Sequence, residues 1–573
     1  MNGATLLGVT LVYFLLAYCF YGRRLKAIFG IESKRECPSK RLRDDIDYVP
    51  TPMMVLFGHH FASIAGAGPI VGPIVAAYLG WGPACLWILL GCVFIGSMHD
   101  FAAMFLSVRN DGRSIAYAIE RELGYFGRQL FLSFCFAALI LVVAIFALLV
   151  AQCFVATPAV ATASVLFIAM APLFGVAVGR KILSLAEASL IFVPILFACV
   201  WLGTLIPLDL VAALGTAQRA TSAWIIMLLY YAAVASIIPV WVLLQPRDYL
   251  NSYLLYAMMI LGIAGIFLYR PEMAMPAFAV SGKTIPKLFP LLFVTVACGA
   301  CSGFHALVAS GTSAKQLASE RHVLPVAYGG MLVEGILAII ALISVGYLDM
   351  SAFEQLLSGA DKVPPQVAFA RGLATFSTKL GLRYDVGVNF VSLAISAFML
   401  TTLDTATRLT RFVWQELLMP QSPAAPTAAP AAVSGESAPA TGGFRGFLSS
   451  RWTATLIVVI LAGYLGLSGG GLRIWPVFGA SNQLLAALTL LAVTLWLIRG
   501  KRPVLFAMLP MFFMTIISIW ALVCLIMDNW QKSWPLVAVS IILLVLALLL
   551  LGLAAQAVHK AHALRAAGAR SGN

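Results

Sequence analysis

The chain runs to 573 residues, 61% hydrophobic and only 10% charged, with a mean hydropathy of +0.96. That balance excludes a soluble enzyme and specifies a polytopic, all-α membrane protein. The formal net charge of +14 does not imply nucleic acid, because Lys and Arg are scattered over short loops between apolar segments instead of lining one stripe.

Hydropathy predicts about fifteen transmembrane helices, over 4–21, 55–79, 83–106, 130–154, 160–178, 183–206, 223–244, 252–269, 288–309, 325–347, 388–412, 453–469, 476–498, 504–528 and 534–556. The first is aromatic and lacks a small-residue cleavage site, so it is read as a span and not as a signal peptide. The basic residues from Arg23 to Arg43 fix the side it exits as cytoplasmic. Alternation from there leaves the N-terminus periplasmic and the C-terminus, with its basic tail from Lys560 to Arg570, cytoplasmic.

The second predicted span contains Phe57-Gly-His-His-Phe-Ala-Ser-Ile-Ala-Gly-Ala-Gly-Pro-Ile-Val-Gly-Pro73. Its glycines and prolines are foreign to an anchor, since Pro removes a backbone donor and hydrocarbon holds no water to satisfy the freed carbonyl. Such a break is tolerated where it lines a cavity, and discontinuous helices near the midplane form the substrate and ion sites of secondary transporters. Ser63, Gly66, Gly68, Pro69 and Gly72 are therefore substrate-binding candidates, with Pro239 from a second broken stretch at 237–240. Half-helix N-termini there would attract a carboxylate.

At about 1.5 Å of rise per residue, Gly66 to Gly68 fall near the midplane, while His59, His60, His99, Asp100, Ser302 and His305 fall about 7–12 Å toward the cytoplasm. For any single histidine a hydrogen bond to a neighbouring carbonyl is the plain alternative. Three spans placing imidazoles at one depth argue instead for function. The candidates for ion coupling are His59, His60, Asp100, Ser302, His305, Ser310, Thr312, Glu334 and Asp404. Imidazole, with an ordinary pKa of about 6.5, favours protons; sodium is the alternative, through the oxygens of Ser302, Ser310 and Thr312. Asp404 and Arg408 stand four apart on one helix face and can neutralise each other. Glu334 has no basic neighbour in its span and is the better proton carrier.

Most of the ten cysteines sit inside apolar segments as small hydrophobes, and no disulfide framework is implied. Cys298-Gly-Ala-Cys301 has no second Cys pair to complete a zinc site, so no metal or other cofactor is expected. Ala62-Ser-Ile-Ala-Gly-Ala-Gly-Pro69 is echoed by Ala235-Ser-Ile-Ile-Pro239, each opening a set of five spans, 55–206 and 223–412. Five is odd, so the sets insert with opposite orientation, the 5+5 inverted-repeat plan of LeuT-like transporters. The organisation expected is an N-terminal helix and basic loop (1–44), a transport core (45–420), a disordered Ala/Pro/Ser-rich linker densest at 421–443 and assigned through 452, and four accessory helices with a basic tail (453–573).

Asp47-Tyr-Val-Pro50, the 57–69 run, His99-Asp-Phe101, Arg109-Asn-Asp-Gly-Arg-Ser114, Pro239-Val-Trp, Pro246-Arg-Asp-Tyr249, Ala297-Cys-Gly-Ala-Cys-Ser-Gly-Phe-His305, Ser310-Gly-Thr312, Tyr328-Gly-Gly-Met331, Asp404-x-x-Thr-Arg408 and Trp475-Pro-Val-Phe-Gly-Ala-Ser-Asn-Gln483 together resemble the carbon starvation protein A (CstA) family, over residues 45 to about 490. The resemblance implies a bacterial inner-membrane importer of carbon nutrients, with short peptides favoured and pyruvate the alternative. The chain departs from the family in its compact loop between Leu348 and Asp385, its own linker, and a His at position 99 where Gln is usual.

The expectation is thus a secondary active transporter and not an enzyme, since no Walker loop, nucleotide-binding domain or HExxH motif is present. Its partners are the small-molecule substrate, a proton or Na+, and the lipid bilayer, with no nucleic acid; the oligomeric state is left open. An intramembrane metal enzyme using His59, His60, His99, Asp100 and His305 is the competing reading, weakened because adjacent histidines on a helix do not easily reach one ion. A nutrient sensor would need a signalling module, which neither linker nor tail provides.

Overall fold

The structure, a computed structural model, describes residues 2–44, 48–239, 242–278, 288–359, 362–418, 444–468 and 471–570. Among them β pairing is confined to two isolated bridges, Asn2 with Glu272 and Thr51 with Leu317; the rest of the regular structure is helical. In so apolar a chain the helix is the conformation that satisfies every backbone donor and acceptor within its own segment.

In chain order the main helices are α1 (Gly3–Phe29), α2 (Met53–Ile64), α3 (Gly68–Leu79), α4 (Trp81–Arg109), α5 (Ile115–Ala156), α6 (Pro158–Gly179), α7 (Leu185–Leu205), α8 (Ala217–Ile237), α9 (Leu244–Tyr269), α10 (Ala297–Ala300), α11 (Gly303–Val308), α12 (Glu320–Gly346), α13 (Met350–Ser358), α14 (Pro365–Ser377), α15 (Tyr384–Leu418), α16 (Arg451–Leu467), α17 (Ile474–Arg499), α18 (Leu505–Asn529) and α19 (Trp534–Arg570). Twelve described helices are long and apolar enough to cross a membrane, thirteen if α2 and α3, bent by 44° at their junction, count as one span. The fifteen predicted segments are matched in part. Residues 288–309 are divided into short pieces, and α16 is only 17 residues long.

The break between α2 and α3 follows from Pro69, which has no N–H to return to the Ala65 carbonyl four residues back. Ala65 leaves helical geometry (φ −74°, ψ 66°), the Gly66 N–H donates to the Ile64 carbonyl at 2.8 Å, and α3 restarts with Pro69 in its first turn, where a missing donor costs nothing.

The expected compact loop at 348–385 contains two helices. Of these, α14 is buried against α3, α9 and α15. At 13 residues it is too short for a membrane-length hydropathy window, and Gln366, Arg371 and Thr375 dilute its apolar signal. Asp47, Val240 and the stretch 421–443 lie outside the described residues; the linker assigned through 452 gives way to helix at Phe444–Ser449 and again at Arg451.

At the centre, α5 packs along α15, α17 and α19, while α3 lies on α12. The sequence grouped α17 with the trailing helices, yet most of its residues, from Ile474 to Leu495, are buried. At one end of the bundle, Arg109 of α4 donates to the Gly30 carbonyl (2.9 Å) and to the buried Glu320 (3.1 Å), which also accepts from the Glu32 N–H at 2.9 Å. The loop after α1 is thereby stitched to the ends of α4 and α12.

Candidate functional site

Asp100 of α4 engages both its oxygens. His99 Nδ1 lies 2.8 Å from Oδ1, and His305 Nδ1, from α11, lies 2.8 Å from Oδ2. The other ring nitrogen of His305, Nε2, faces Glu334 Oε2 of α12 at 3.3 Å. All four residues are fully buried. His60 of α2, equally buried, places Nδ1 2.8 Å from Ser313 Oγ.

The protons in this row can be counted. A neutral imidazole carries one N–H, and the two nitrogens of His305 each face a carboxylate. Both contacts are attractive only if the ring is doubly protonated or if one of the two carboxylates, Asp100 or Glu334, holds a proton. His99 meets Asp100 through one nitrogen and needs no extra proton. The row Asp100–His305–Glu334 is therefore a seat for one proton more than its neutral imidazole form would hold.

Asp404 belongs to a second buried group. The sequence offered Arg408 as its partner, but Asp404 pairs with Arg247 of α9 and accepts from the Tyr231 hydroxyl at 2.8 Å. Arg408 donates to the carbonyls of Ala235 and Ile238, at 2.8 and 2.5 Å, where α8 ends and its last acceptors are free. Arg247 also reaches Asp248 at 3.1 Å, and the second oxygen of Asp248 faces His59 Nδ1 at 3.7 Å. The adjacent histidines of α2 thus point to different groups: His60 to Ser313, His59 to Asp248.

The hydroxyls expected to join His60 and His305 in one cation site are spread out. Ser310 and Thr312 donate to carbonyls of their own helix, Ala306 at 2.7 Å and Val308 at 2.9 Å, and Ser302 pairs with Asn482 of α17 at 3.0 Å. Among the described residues no group of three or more His, Cys, Asp or Glu is arranged to hold a metal ion.

Around the α2–α3 break, Ser63, Gly66, Gly68, Pro69 and Gly72 are all buried, and Ser63 donates to the His59 carbonyl at 2.8 Å. Each glycine admits a neighbour. A methyl group at Gly66 would lie 2.6 Å from the Phe146 ring and 2.9 Å from Thr402 Oγ1, one at Gly72 would lie 2.6 Å from the Thr295 carbonyl, and one at Gly68 would run into the Cys298 side chain. Pro239, by contrast, is exposed beyond the end of α8.

Sequence reasoning missed Ser313, Tyr231, Arg247, Asp248 and Asn482. A signal existed for two of them: Pro246-Arg-Asp-Tyr249 sets adjacent opposite charges at the head of an apolar span, where unpaired they would be prohibitive.

The model of the family described as carbon starvation protein CstA matches residues 2–368 and 358–521. The peptide transporter CstA of Escherichia coli strain K12 is 33% identical over 602 residues, spanning 93% of this chain and 82% of that protein. The peptide transporter CstA of Bacillus subtilis strain 168 is 31% identical over 559 residues (89% and 88%). The pyruvate/proton symporter BtsT of E. coli K12 is 31% identical over 603 residues (89% and 80%). Likeness to solved structures is distant. MhsT in complex with L-phenylalanine gives 13% identity and a TM-score of 0.47, over 88% of this chain and 99% of that one. A mutant of the Eremococcus coleocola manganese transporter gives 10% and 0.48, over 90% and 98%.

Proposed function

The chain belongs to the carbon starvation protein CstA family, and on that premise we propose that it takes up small carbon nutrients, short peptides first, across the bacterial inner membrane as a proton-coupled secondary transporter. Its relatives are transporters and it is not an enzyme. Pyruvate is the alternative cargo, because the relatives named for peptides and for pyruvate lie at nearly the same identity, 33% and 31%.

The observation that carries the proton reading is His305 held between Asp100 and Glu334. With the extra proton present, every facing pair in the row attracts. With the proton gone, a buried carboxylate loses its partner, a cost of several kcal/mol, on the order of 3–5, that the protein relieves by rearranging. The row lies among α2, α4, α11 and α12, so the rearrangement acts on the half-helix that ends at the Ala65–Ala67 break. There the unwound backbone and the N-terminus of α3 suit a carboxylate, a group that peptides and pyruvate share. The spread of the Ser310, Thr312 and Ser302 hydroxyls gives sodium less support.

In this reading the chain crosses the membrane fifteen times, with α2–α3, the divided segment 288–316 and α16 each counted as one crossing. The core is two inverted sets of five, 55–206 and 223–412. The odd number leaves the N-terminus periplasmic and the C-terminus cytoplasmic, which reporter fusions at both ends would test.

The deciding experiment is uptake of labelled dipeptide and labelled pyruvate by sodium-free proteoliposomes under an imposed pH gradient. Accumulation of one, competed by the other or not, identifies the cargo. If neither accumulates, the nutrient-importer reading fails.

A further inference from the structure

The chain of the divided segment is helical through Ala300, extended at Cys301 (φ −165°, ψ 125°) and Ser302 (φ −125°, ψ 123°), and helical again from Gly303. Two extended residues interrupt the i→i−4 ladder, so donors opening α11 lose their partners, and the non-helical Val296 (φ −98°, ψ 32°) does the same for the carbonyls of the turn before it. The replacements come from α17. The Phe304 N–H donates to Asn482 Oδ1 at 2.8 Å, Trp475 Nε1 donates to the Thr295 carbonyl at 3.2 Å, and Gln483 Nε2 donates to the Phe293 carbonyl at 2.7 Å. Positions 475, 482 and 483 share one face of a helix.

Because a backbone N–H only donates, it fixes which end of the Asn482 amide is oxygen. The Nδ2 end then donates to Ser302 Oγ at 3.0 Å and to Cys298 Sγ at 3.3 Å, spanning the interruption from its two sides. Glycines allow the approach. A methyl group at Gly303 would lie 2.5 Å from the Ala486 nitrogen of α17, and one at Gly479 would run into the Val294 carbonyl. On its other side, Cys298 fills the space that a side chain at Gly68 would need.

We infer that α17 is part of the transport core and that Asn482 is a positioning residue, holding the two broken segments, 63–73 and 297–305, in register through Cys298 and Ser302. The contact runs from Asn482 to Cys298 to Gly68. It rests on the transporter reading only for its consequence in transport.

The test compares Asn482→Leu, which keeps volume and removes the hydrogen bonds to all three partners, Phe304, Ser302 and Cys298, with Thr489→Ala, two turns on in the same helix, where the hydroxyl has no partner. Two readouts are taken: the KM for the transported substrate at matched membrane abundance, and the rate at which a membrane-permeant maleimide labels Cys298 relative to Cys153, which is also buried. For Asn482→Leu the KM and the relative Cys298 rate should each rise about tenfold, the scale of one buried hydrogen bond, while Thr489→Ala leaves both within about twofold. General loosening of the fold would raise Cys153 labelling equally, and that result overturns the inference. So does an Asn482→Leu protein with both readouts at wild-type values.

If Asn482→Leu does not reach the membrane, Ser302→Ala, which removes one of the three partners, is read in the same way; a rise of about threefold supports the inference and no change refutes it. Should the wild-type protein carry neither peptide nor pyruvate, the labelling readout still decides the role of Asn482, and the transporter reading fails separately.

Discussion

Arg247 of α9 closes on Asp404 of α15, and neither side chain is exposed. Around that pair the charges do not balance one to one, because Asp248 also bonds Arg247 at 3.1 Å. Removing the two partners should therefore have unequal effects. Arg247→Met leaves two buried carboxylates and should cost about 3–5 kcal/mol. Asp404→Asn leaves Arg247 neutralised by Asp248 and keeps an acceptor for Tyr231, so it should cost about 1–2 kcal/mol. Thermal unfolding of the purified protein in detergent checks the order. Equal losses would show that Asp248 does not share the guanidinium.

The row from Asp100 through His305 to Glu334 separates binding from energisation. Glu334→Gln keeps the shape but cannot take a proton, and His305→Ala removes the relay. Both should abolish accumulation driven by a pH gradient yet leave counterflow exchange, which needs alternation but no net driving force. His60→Ala should share this pattern. Because loading requires the proton, wild-type uptake should fall as the outside pH rises, while exchange by Glu334→Gln should stay flat. If the His60 and His305 variants still accumulate substrate without sodium, both histidines are structural.

Gly68→Ala tests the break itself. Its methyl group would occupy the space of Cys298, so about 1–3 kcal/mol of strain and loss of transport are expected. Gly552→Ala, with nothing within 4 Å of the added methyl, should be neutral or stabilise α19 by about 0.5–1 kcal/mol. Transport and unfolding temperature measured on both variants would expose an error if Gly68→Ala behaves like Gly552→Ala.

A chain divided within 421–443 and expressed as two fragments should still assemble, because α17 is buried against α5, α10 and α11. Each fragment alone should fail to accumulate, since the first would leave the Thr295 and Phe293 carbonyls unpaired and the second would expose Trp475, Asn482 and Gln483 to lipid. Co-purification of the two halves with transport restored is the expected outcome. A first fragment that transports by itself would make the trailing helices dispensable.

Much of the site could be read from residue types alone. Pro69 and its glycines dictated a break in the second span, the cost of burying His59, His60, His99, Asp100 and His305 at one depth argued for function, and Glu334 stood apart as an acid with no basic neighbour in its span. Composition likewise fixed the all-helical membrane class, because hydrocarbon leaves the backbone no other partner than its own segment. The family resemblance rested on contiguous motifs, which survive translation into sequence.

Only the tertiary structure decided who meets whom. Helical spacing put Asp404 and Arg408 on one face, yet a carboxylate is satisfied by whichever cation reaches it first, and Arg247 arrives from 157 positions away while Arg408 turns to the open end of α8. Ser313 rather than Thr312 meets His60 because π-helical winding at Ala309–Ser313 shifts the register that a regular helix would give. Asn482 stands beyond the linker and looked accessory. Its place in the core follows from backbone groups orphaned at Cys301 and Ser302, and a helix interruption states which bonds it loses but not which distant side chain will replace them.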